Sequence, residues 1–194
     1  MDKHIYLSII IVLLGAIATA SLFVYYPLTI QITPQQPGVI FEAGSNAGGG
    51  DIGENTIGVA LGDNKTSAEI IIHPTYQENY YKDILRITNN DDEEMKVYIM
   101  FTYRDINLPG ESVVKLFIYK EDNTLVNELD ITNPSLNSIT LIGDISSGET
   151  WQVDIYVYIP EGKSIEGASY TAQAKLIYTP SSTETPPVTP SSGR

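Results

Sequence analysis

The sequence has no cysteine and only two histidines, His4 and His73, among its 194 residues. The absence of cysteine excludes disulfides, thiolate catalysis and cysteine-based zinc sites. Because His4 lies in a hydrophobic leader, His73 alone leaves little scope for a Ser-His triad or for a site with several histidine ligands. Helical periodicity is also missing after the leader, where no window of about 12 residues shows it. We therefore expect a body without helices and a protein that is not an enzyme and binds no cofactor.

Basic residues are few, since 11 Lys and Arg stand against 24 Asp and Glu, for a net charge of -13. A chain this acidic repels the phosphates of nucleic acids and of anionic lipids. Charged residues of both signs make up only 18% of the chain, so it is not expected to be disordered throughout. Nucleic acid is thereby excluded as a partner.

The chain opens with an apolar run. Residues 5–26 carry no charge and, at about 33 Å as a helix, could span a bilayer. Ala18-Thr19-Ala20 has the small-x-small pattern that signal peptidase cleaves. We predict a signal peptide over residues 1–20, cleaved after Ala20; the alternative is an uncleaved membrane anchor over residues 5–26. In both cases the remainder is exported, and the protein is secreted, extracellular or at the cell surface.

Residues 21–37 form a separate N-terminal segment. Apolar residues alternate along it with period two, which is typical of a strand with one apolar face. Pro27 cannot donate to a sheet ladder, and Pro34, Pro37 and Gly38 separate the segment from the body of the chain. Three interpretations remain open: the first strand of its own domain, the outer half of an anchor helix, or a donor strand for a neighbouring subunit. The residues of such a donor strand are Val24, Tyr26, Leu28, Ile30 and Ile32.

The body, residues 38–179, reads as strands separated by turns rich in Gly, Pro, Asn and Asp. This pattern predicts an all-β fold, a single β-sandwich of the jelly-roll type. A glycine-rich loop, 44–62, holds seven of the 15 glycines and resembles no phosphate-binding loop. The predicted strands are 57–61, 67–73, 82–88, 95–104, 113–120, 123–131, 137–144, 150–159 and 169–178.

Alternation within the strands predicts which side chains face the core. In the strand 150–159 we expect Val153, Ile155, Val157 and Ile159 to point inward, and the outward set to be Gln152, Asp154, Tyr156 and Tyr158. The inward face of the strand 95–104 is predicted to comprise Met95, Val97, Ile99, Phe101 and Tyr103. In the strand 169–178 one face is predicted to comprise Tyr170, Ala172, Ala174, Leu176 and Tyr178.

The tail, residues 180–194, is composed mainly of Pro, Ser and Thr, which account for 11 of its 15 residues. Such a segment cannot bury a core, and we predict a disordered, extended end.

Two surface features carry candidate sites. The acidic run Asp91, Asp92, Glu93 and Glu94 falls in a turn, where it is either a solvated turn or a contributor of oxygen ligands to calcium. Asn64-Lys65-Thr66 is an N-glycosylation sequon in an exported chain, so Asn64 is a candidate for modification.

Several motifs resemble a known family. Gly44-Ser45-Asn46-Ala47, Asp51-Ile52-Gly53 and the stretch 73–90 are similar to exported β proteins of hyperthermophilic archaea. Together with the strands MKVYIMFTY and YTAQAKLIY, the layout of residues 22–179 resembles the biofilm-fibre class that includes bacterial TasA and the archaeal bundling pili and threads. The bacterial proteins are longer and have helical insertions, so an archaeal fibre is the closer match.

The resemblance implies a structural subunit of an extracellular filament that serves adhesion or biofilm formation. Its partners would be copies of itself in a head-to-tail polymer, with cell-surface or matrix contacts. Each jelly roll would lack one strand, which the N-terminal strand of the next subunit would supply by donor-strand complementation. The alternative is a monomeric, membrane-anchored surface or binding domain, in which residues 5–26 remain a helix.

Overall fold

The computed structural model describes residues 3, 4, 6, 25–180 and 183–187. The prediction of an all-β body is confirmed: ten strands and one 3-10 turn, Ile52–Glu54, make up its regular structure. The strands are β1 Val39–Ala43, β2 Gly58–Leu61, β3 Ala68–Ile71, β4 Gln77–Asn89, β5 Met95–Asn107, β6 Val113–Lys120, β7 Leu125–Asp130, β8 Ile139–Ile145, β9 Thr150–Ile159 and β10 Ser169–Thr179.

The strands form a sandwich of antiparallel sheets. One layer is a five-stranded sheet in the order β1-β4-β9-β6-β7. The other elements are a three-stranded sheet, β10-β5-β8, and a separate hairpin, β2-β3. All three contribute apolar side chains to one core, so the smaller sheet and the hairpin cover the larger sheet without pairing with each other in the described part of the chain.

The nine predicted strands are all present, with boundaries that differ mainly at β4 and β5. β4 begins at Gln77 and β5 continues to Asn107, because each pairs with a long neighbour, β9 and β10 respectively. The short strand β1 was not among the predicted strands. It pairs with the second half of β4, where Val39 lies opposite Asn89.

The core follows the predicted alternation most closely in β9. Val153, Ile155, Val157 and Ile159 are buried, and Trp151, the only tryptophan, joins them with no exposed surface. Each such aliphatic side chain contributes about 1.5–3 kcal/mol by its removal from water. Tyr156 and Tyr158 face outward as predicted, since they belong to the other face of the same strand. Asp154, predicted on that outward face, is only 1% exposed, because it accepts hydrogen bonds from neighbouring side chains such as Tyr80 and Gln152.

One predicted core residue, Tyr103, is placed wrongly by alternation, for it is 45% exposed. The reason is a β-bulge: Phe101 pairs with Ala174 and Tyr103 pairs with Gln173, so that Thr102 is an extra residue in β5. An extra residue reverses the faces of all later residues in a strand. Tyr103 therefore points away from the core that Phe101 enters.

Candidate assembly surface

The N-terminal segment belongs to no helix or strand and is exposed from Tyr25 to Gln35. Its apolar side chains at Tyr26, Leu28, Ile30 and Ile32 are between 73 and 86% exposed. Val24, the remaining predicted donor residue, lies outside the described residues. An alternating row of large apolar side chains left in water is unfavourable, because each could gain about 1.5–3 kcal/mol on burial.

The first interpretation of this segment, a strand of its own domain, is wrong for the described residues. No strand includes residues 25–37, and β1 begins only at Val39. The physical reason lies in the prolines: Pro27, Pro34 and Pro37 each lack a backbone donor and keep the chain from forming a continuous ladder. The segment carries the apolar alternation of a strand in its sequence but has no partner strand within the described chain.

A complementary feature lies at β10, the edge strand of the three-stranded sheet. β10 pairs with β5 along its whole length, and the described residues place no strand along its other edge. Cross-strand partners point to the same face, so Ala174 and Tyr178, opposite Phe101 and Val97, face the core. Yet Ala174 is exposed and Tyr178 is 37% exposed, whereas Val97 is fully buried.

The same holds for the rest of that face of β10. The predicted inward set has the predicted orientation, but none of its members is buried. The half-buried members pack against the core from one side only and are Tyr170, Ala172 and Leu176. The inner face of β10 is therefore incompletely covered, and its unpaired edge and its apolar side chains lie together.

Two other strand edges, those of β1 and β8, are covered. The outer edge of β1 is met by the turn of the β2-β3 hairpin, where the Phe41 nitrogen donates to the Lys65 oxygen at 2.8 Å. The edge of β8 is capped by Asn127 of β7, whose amide donates to the carbonyl oxygens of Leu141 and Ile142 at 3.1 and 3.0 Å. Such covers prevent indiscriminate pairing at sheet edges, whereas no strand of the described residues lies along the outer edge of β10.

The glycine-rich loop is held by a buried carboxylate. Asp51, whose side chain is 1% exposed, accepts hydrogen bonds from the backbone nitrogens of Ile52 and His73, from His73 Nδ1 at 3.0 Å and from the Tyr81 hydroxyl at 3.1 Å. Burial by itself raises the pKa of the Asp51 carboxyl, but these bonds outweigh it and the pKa lies below its usual value. His73 thus helps to hold the glycine-rich loop in place through Asp51.

A second group of buried carboxylates, Asp83 and Asp154, was not predicted from the sequence. At the bulge of β4, Asp83 has a positive φ of 45° and accepts two bonds from the Arg86 guanidinium, at 2.8 and 2.6 Å. Asp154 of β9, almost fully buried, accepts from the Asp83 nitrogen and from the Tyr80 hydroxyl, both at 2.7 Å. The sequence signal was present only as two charges within apolar strands, and nothing in it pointed to their pairing.

The acidic run and the sequon meet at one shallow surface cleft of about 570 Å³. Its lining includes Asn64, Asp91 and Asp92, while Glu93 and Glu94 are exposed in the same turn. Within the described residues no three acidic or histidine side chains converge as a metal site would require. Calcium binding and glycosylation of Asn64 both stay predictions.

The leader falls mostly outside the described residues, so the signal peptide over 1–20 and the anchor over 5–26 stay predictions. Among the residues that are described, no helix has both the length and the apolar character needed to cross a bilayer. Of the tail, Thr183 to Pro187 are described; they form no regular structure, and the Glu184 carbonyl accepts a hydrogen bond from the Tyr98 hydroxyl at 3.2 Å.

Comparison of the chain with protein-family models gave no match, and comparison with curated proteins gave none either. A function for this chain is therefore inferred from its own geometry.

Proposed function

We propose that the chain is the structural subunit of an extracellular filament that polymerises head-to-tail by donor-strand complementation. The N-terminal segment of one copy would lie along the uncovered edge of β10 in the next copy and complete the second layer of a jelly roll. The observation that carries this proposal is the exposed, alternating apolar row at Tyr26, Leu28, Ile30 and Ile32. β10 supplies what that row lacks, namely an unpaired edge beside half-buried apolar side chains.

The energetics favour such a joint. The four exposed donor side chains could each contribute about 1.5–3 kcal/mol when they enter the groove, before the cost of ordering the segment. The added strand would also satisfy a row of backbone groups on β10. Because Pro34 and Pro37 interrupt the chain before β1, the donor segment can leave its own domain without disturbing the strands of the body.

The geometry of the joint decides the form of the assembly. Donor and acceptor are different surfaces, so a copy that donates still has an open acceptor, and the contact does not close on itself. The result is a fibre. Because the chain has no cysteine, no disulfide would link its subunits. We assign the filament to the exported, adhesive or biofilm-forming fibres of archaea that the sequence resembles, with no catalytic activity of its own.

The test uses two charge substitutions on neighbouring residues. Ile30→Asp places a carboxylate on the apolar row, whereas Thr29→Asp places the same carboxylate on the opposite face of the segment. Negative-stain electron microscopy of protein purified from exporting cells should show filaments for wild type and Thr29→Asp and none for Ile30→Asp. The folded body of each variant is verified by fluorescence of the buried Trp151.

Two outcomes would overturn the proposal. Wild-type-like filaments of Ile30→Asp would exclude the segment as the joint. A wild-type chain that stays with membranes, retains its first residues by N-terminal sequencing and forms no filaments would favour an anchored surface domain instead.

A further inference from the structure

The outer face of the five-stranded sheet carries a cluster of aromatic side chains that the filament joint does not use. We name it the aromatic platform. β4, β9 and β6 are adjacent strands, so the platform spans two strand spacings, about 10 Å. Its members are Tyr80, Phe117, Tyr119, Tyr156 and Tyr158.

The sheet register places these rings on one face. Tyr156 of β9 lies between Tyr80 of β4 and Lys115 of β6, and Phe117 lies opposite Asp154. The other face of β9 enters the core through Val153, Ile155 and their neighbours, so the rings face away from the core. Tyr80 is 50% exposed and the other four rings are half-buried, because they shield one another.

Three of the rings, those of Tyr80, Phe117 and Tyr119, lie next to one another. The centroids of Phe117 and Tyr119 are 6.3 Å apart and their planes differ by only 17°. Tyr80 lies 6.1 Å from Phe117 with its plane tilted by 38°. Rings in such an arrangement present broad apolar faces to whatever lies on the sheet, while tyrosine adds a polar edge.

Carboxylates hold the rings in place. The Tyr80 hydroxyl donates to Asp154 at 2.7 Å, and the Tyr156 hydroxyl donates to Glu78 at 3.3 Å. Asp154 is itself fixed by the Gln152 amide and by the Asp83 nitrogen, both at 2.7 Å. A surface whose side chains are fixed before binding loses less entropy when a ligand arrives. Each tyrosine oxygen also keeps a lone pair with which it can accept a further hydrogen bond.

Charge decides which kind of ligand suits the platform. Lys115 is paired with Glu128 at 2.6 Å, and Glu78, Asp130 and Asp154 leave the region with an excess of negative charge. Anionic polymers would be repelled by this excess of negative charge. An uncharged ligand with apolar faces and many hydroxyl groups does not meet this obstacle.

We propose that the aromatic platform binds uncharged polysaccharide. The C–H faces of pyranose rings would lie on the aromatic faces, and sugar hydroxyls would donate to the tyrosine and carboxylate oxygens around them. The fit does not depend on filament formation, since the platform is complete within one copy. In a filament it would repeat with every subunit, and weak single contacts would then add through multivalency.

The experiment measures binding of the full chain to films of defined glycans by biolayer interferometry. The neutral probes are dextran, laminarin, galactomannan and arabinogalactan stripped of uronate, and alginate is the anionic probe. Wild type should bind at least one neutral film, with competition by the same glycan in solution, and should not bind alginate. Tyr156→Ala and Phe117→Ala should each weaken binding by about tenfold, the effect of losing one aromatic contact.

Two further variants separate a binding role from a structural one. Tyr156→Phe keeps the ring and should keep binding within about threefold of wild type, since one peripheral hydrogen bond contributes little. Tyr103→Ala removes a ring that is 45% exposed on the other sheet and should leave binding unchanged. The proposal is overturned if no neutral film binds, if alginate alone binds, if the two alanine variants of the platform bind like wild type, or if they alter self-association and not glycan binding.

Discussion

The Tyr178 hydroxyl accepts a hydrogen bond from the backbone nitrogen of Gly38 at 3.2 Å, across 140 residues of sequence. The contact joins the end of β10 to the start of β1, and thus the two sheets to each other at that end of the sandwich. The hydroxyl of Tyr178 is therefore engaged within the subunit, while the backbone groups on the outer edge of β10 are not part of this contact.

Cross-linking should detect a donor segment in that groove. The chain has no cysteine of its own, so introduced pairs are unambiguous. We expect that Ala174→Cys combined with a cysteine at 28, 30 or 32 gives, for at least one of the three, a ladder of disulfide-linked oligomers on a non-reducing gel. The pairing requires Cα atoms within about 7 Å of each other, which only an inserted strand would provide.

The control for this ladder pairs the same donor cysteines with Glu128→Cys, an exposed site on β7 in the other sheet. It should give no ladder. Equal ladders from both acceptor positions, or none from any of the three pairs with Ala174→Cys, would show that the segment does not occupy the edge of β10.

Asp51→Ala should destabilise the body, since it removes the acceptor of four hydrogen bonds and leaves the Tyr81 hydroxyl and the His73 nitrogen without their partner. We expect a loss of about 3 kcal/mol in the free energy of unfolding. Urea denaturation followed by Trp151 fluorescence measures it. Glu54→Ala, exposed in the same loop, should cost less than about 0.5 kcal/mol; an equal loss in both variants would contradict the role of Asp51.

Acid should weaken the fold through Asp83. The Arg86 guanidinium, with help from the Ser45 nitrogen, lowers the pKa of this buried carboxyl from 3.8 to about 2. Because the folded pKa lies below the unfolded one, the stabilisation is complete above about pH 4 and is lost as the pH falls toward 2, by about 2 kcal/mol.

Unfolding free energies measured between pH 6 and pH 2 should therefore fall less steeply below pH 4 for Asp83→Asn than for wild type. Asp105→Asn, an exposed change of the same charge on β5, should keep the wild-type slope. Parallel profiles for wild type and Asp83→Asn would contradict the assignment.

Alanine substitution at two glycines of the same loop should affect the stability of the protein to very different extents. A Cβ at Gly44 would lie 2.0 Å from the backbone oxygen of Asp83, a position that the β4 bulge cannot vacate. Gly44→Ala should cost roughly 3 kcal/mol or more. A Cβ at Gly50 meets nothing within 4 Å, and Gly50→Ala should be neutral within about 0.5 kcal/mol. Thermal unfolding of both variants decides the matter, and equal melting temperatures would contradict the close approach at Gly44.

Alternation predicted the inward face of β9 correctly because both neighbouring strands pair with β9 over nearly its full length. The pairing with β6 also has no register shift. It failed at Tyr103 because one inserted residue reverses the faces of a strand, and no local signal marks the insertion. The bulge at Asp83 was missed for the same reason. The pairing of Asp83, Arg86 and Asp154 depends on two strands, β4 and β9, that are far apart in sequence.

The apolar alternation of the N-terminal segment and its prolines are local properties, so the sequence by itself identified both the apolar row at Tyr26, Leu28, Ile30 and Ile32 and the prolines that disfavour an ordinary ladder there. Strand periods, turn residues and the lack of helical periodicity likewise determined the all-β body. Which edge lacks a partner depends on the order of strands in the sheets, and the five aromatic rings come from three strands brought together by folding. The unpaired edge and the aromatic cluster were therefore decided only by the tertiary structure. Strand order and register depend on contacts between residues far apart in sequence, which no short stretch of sequence specifies.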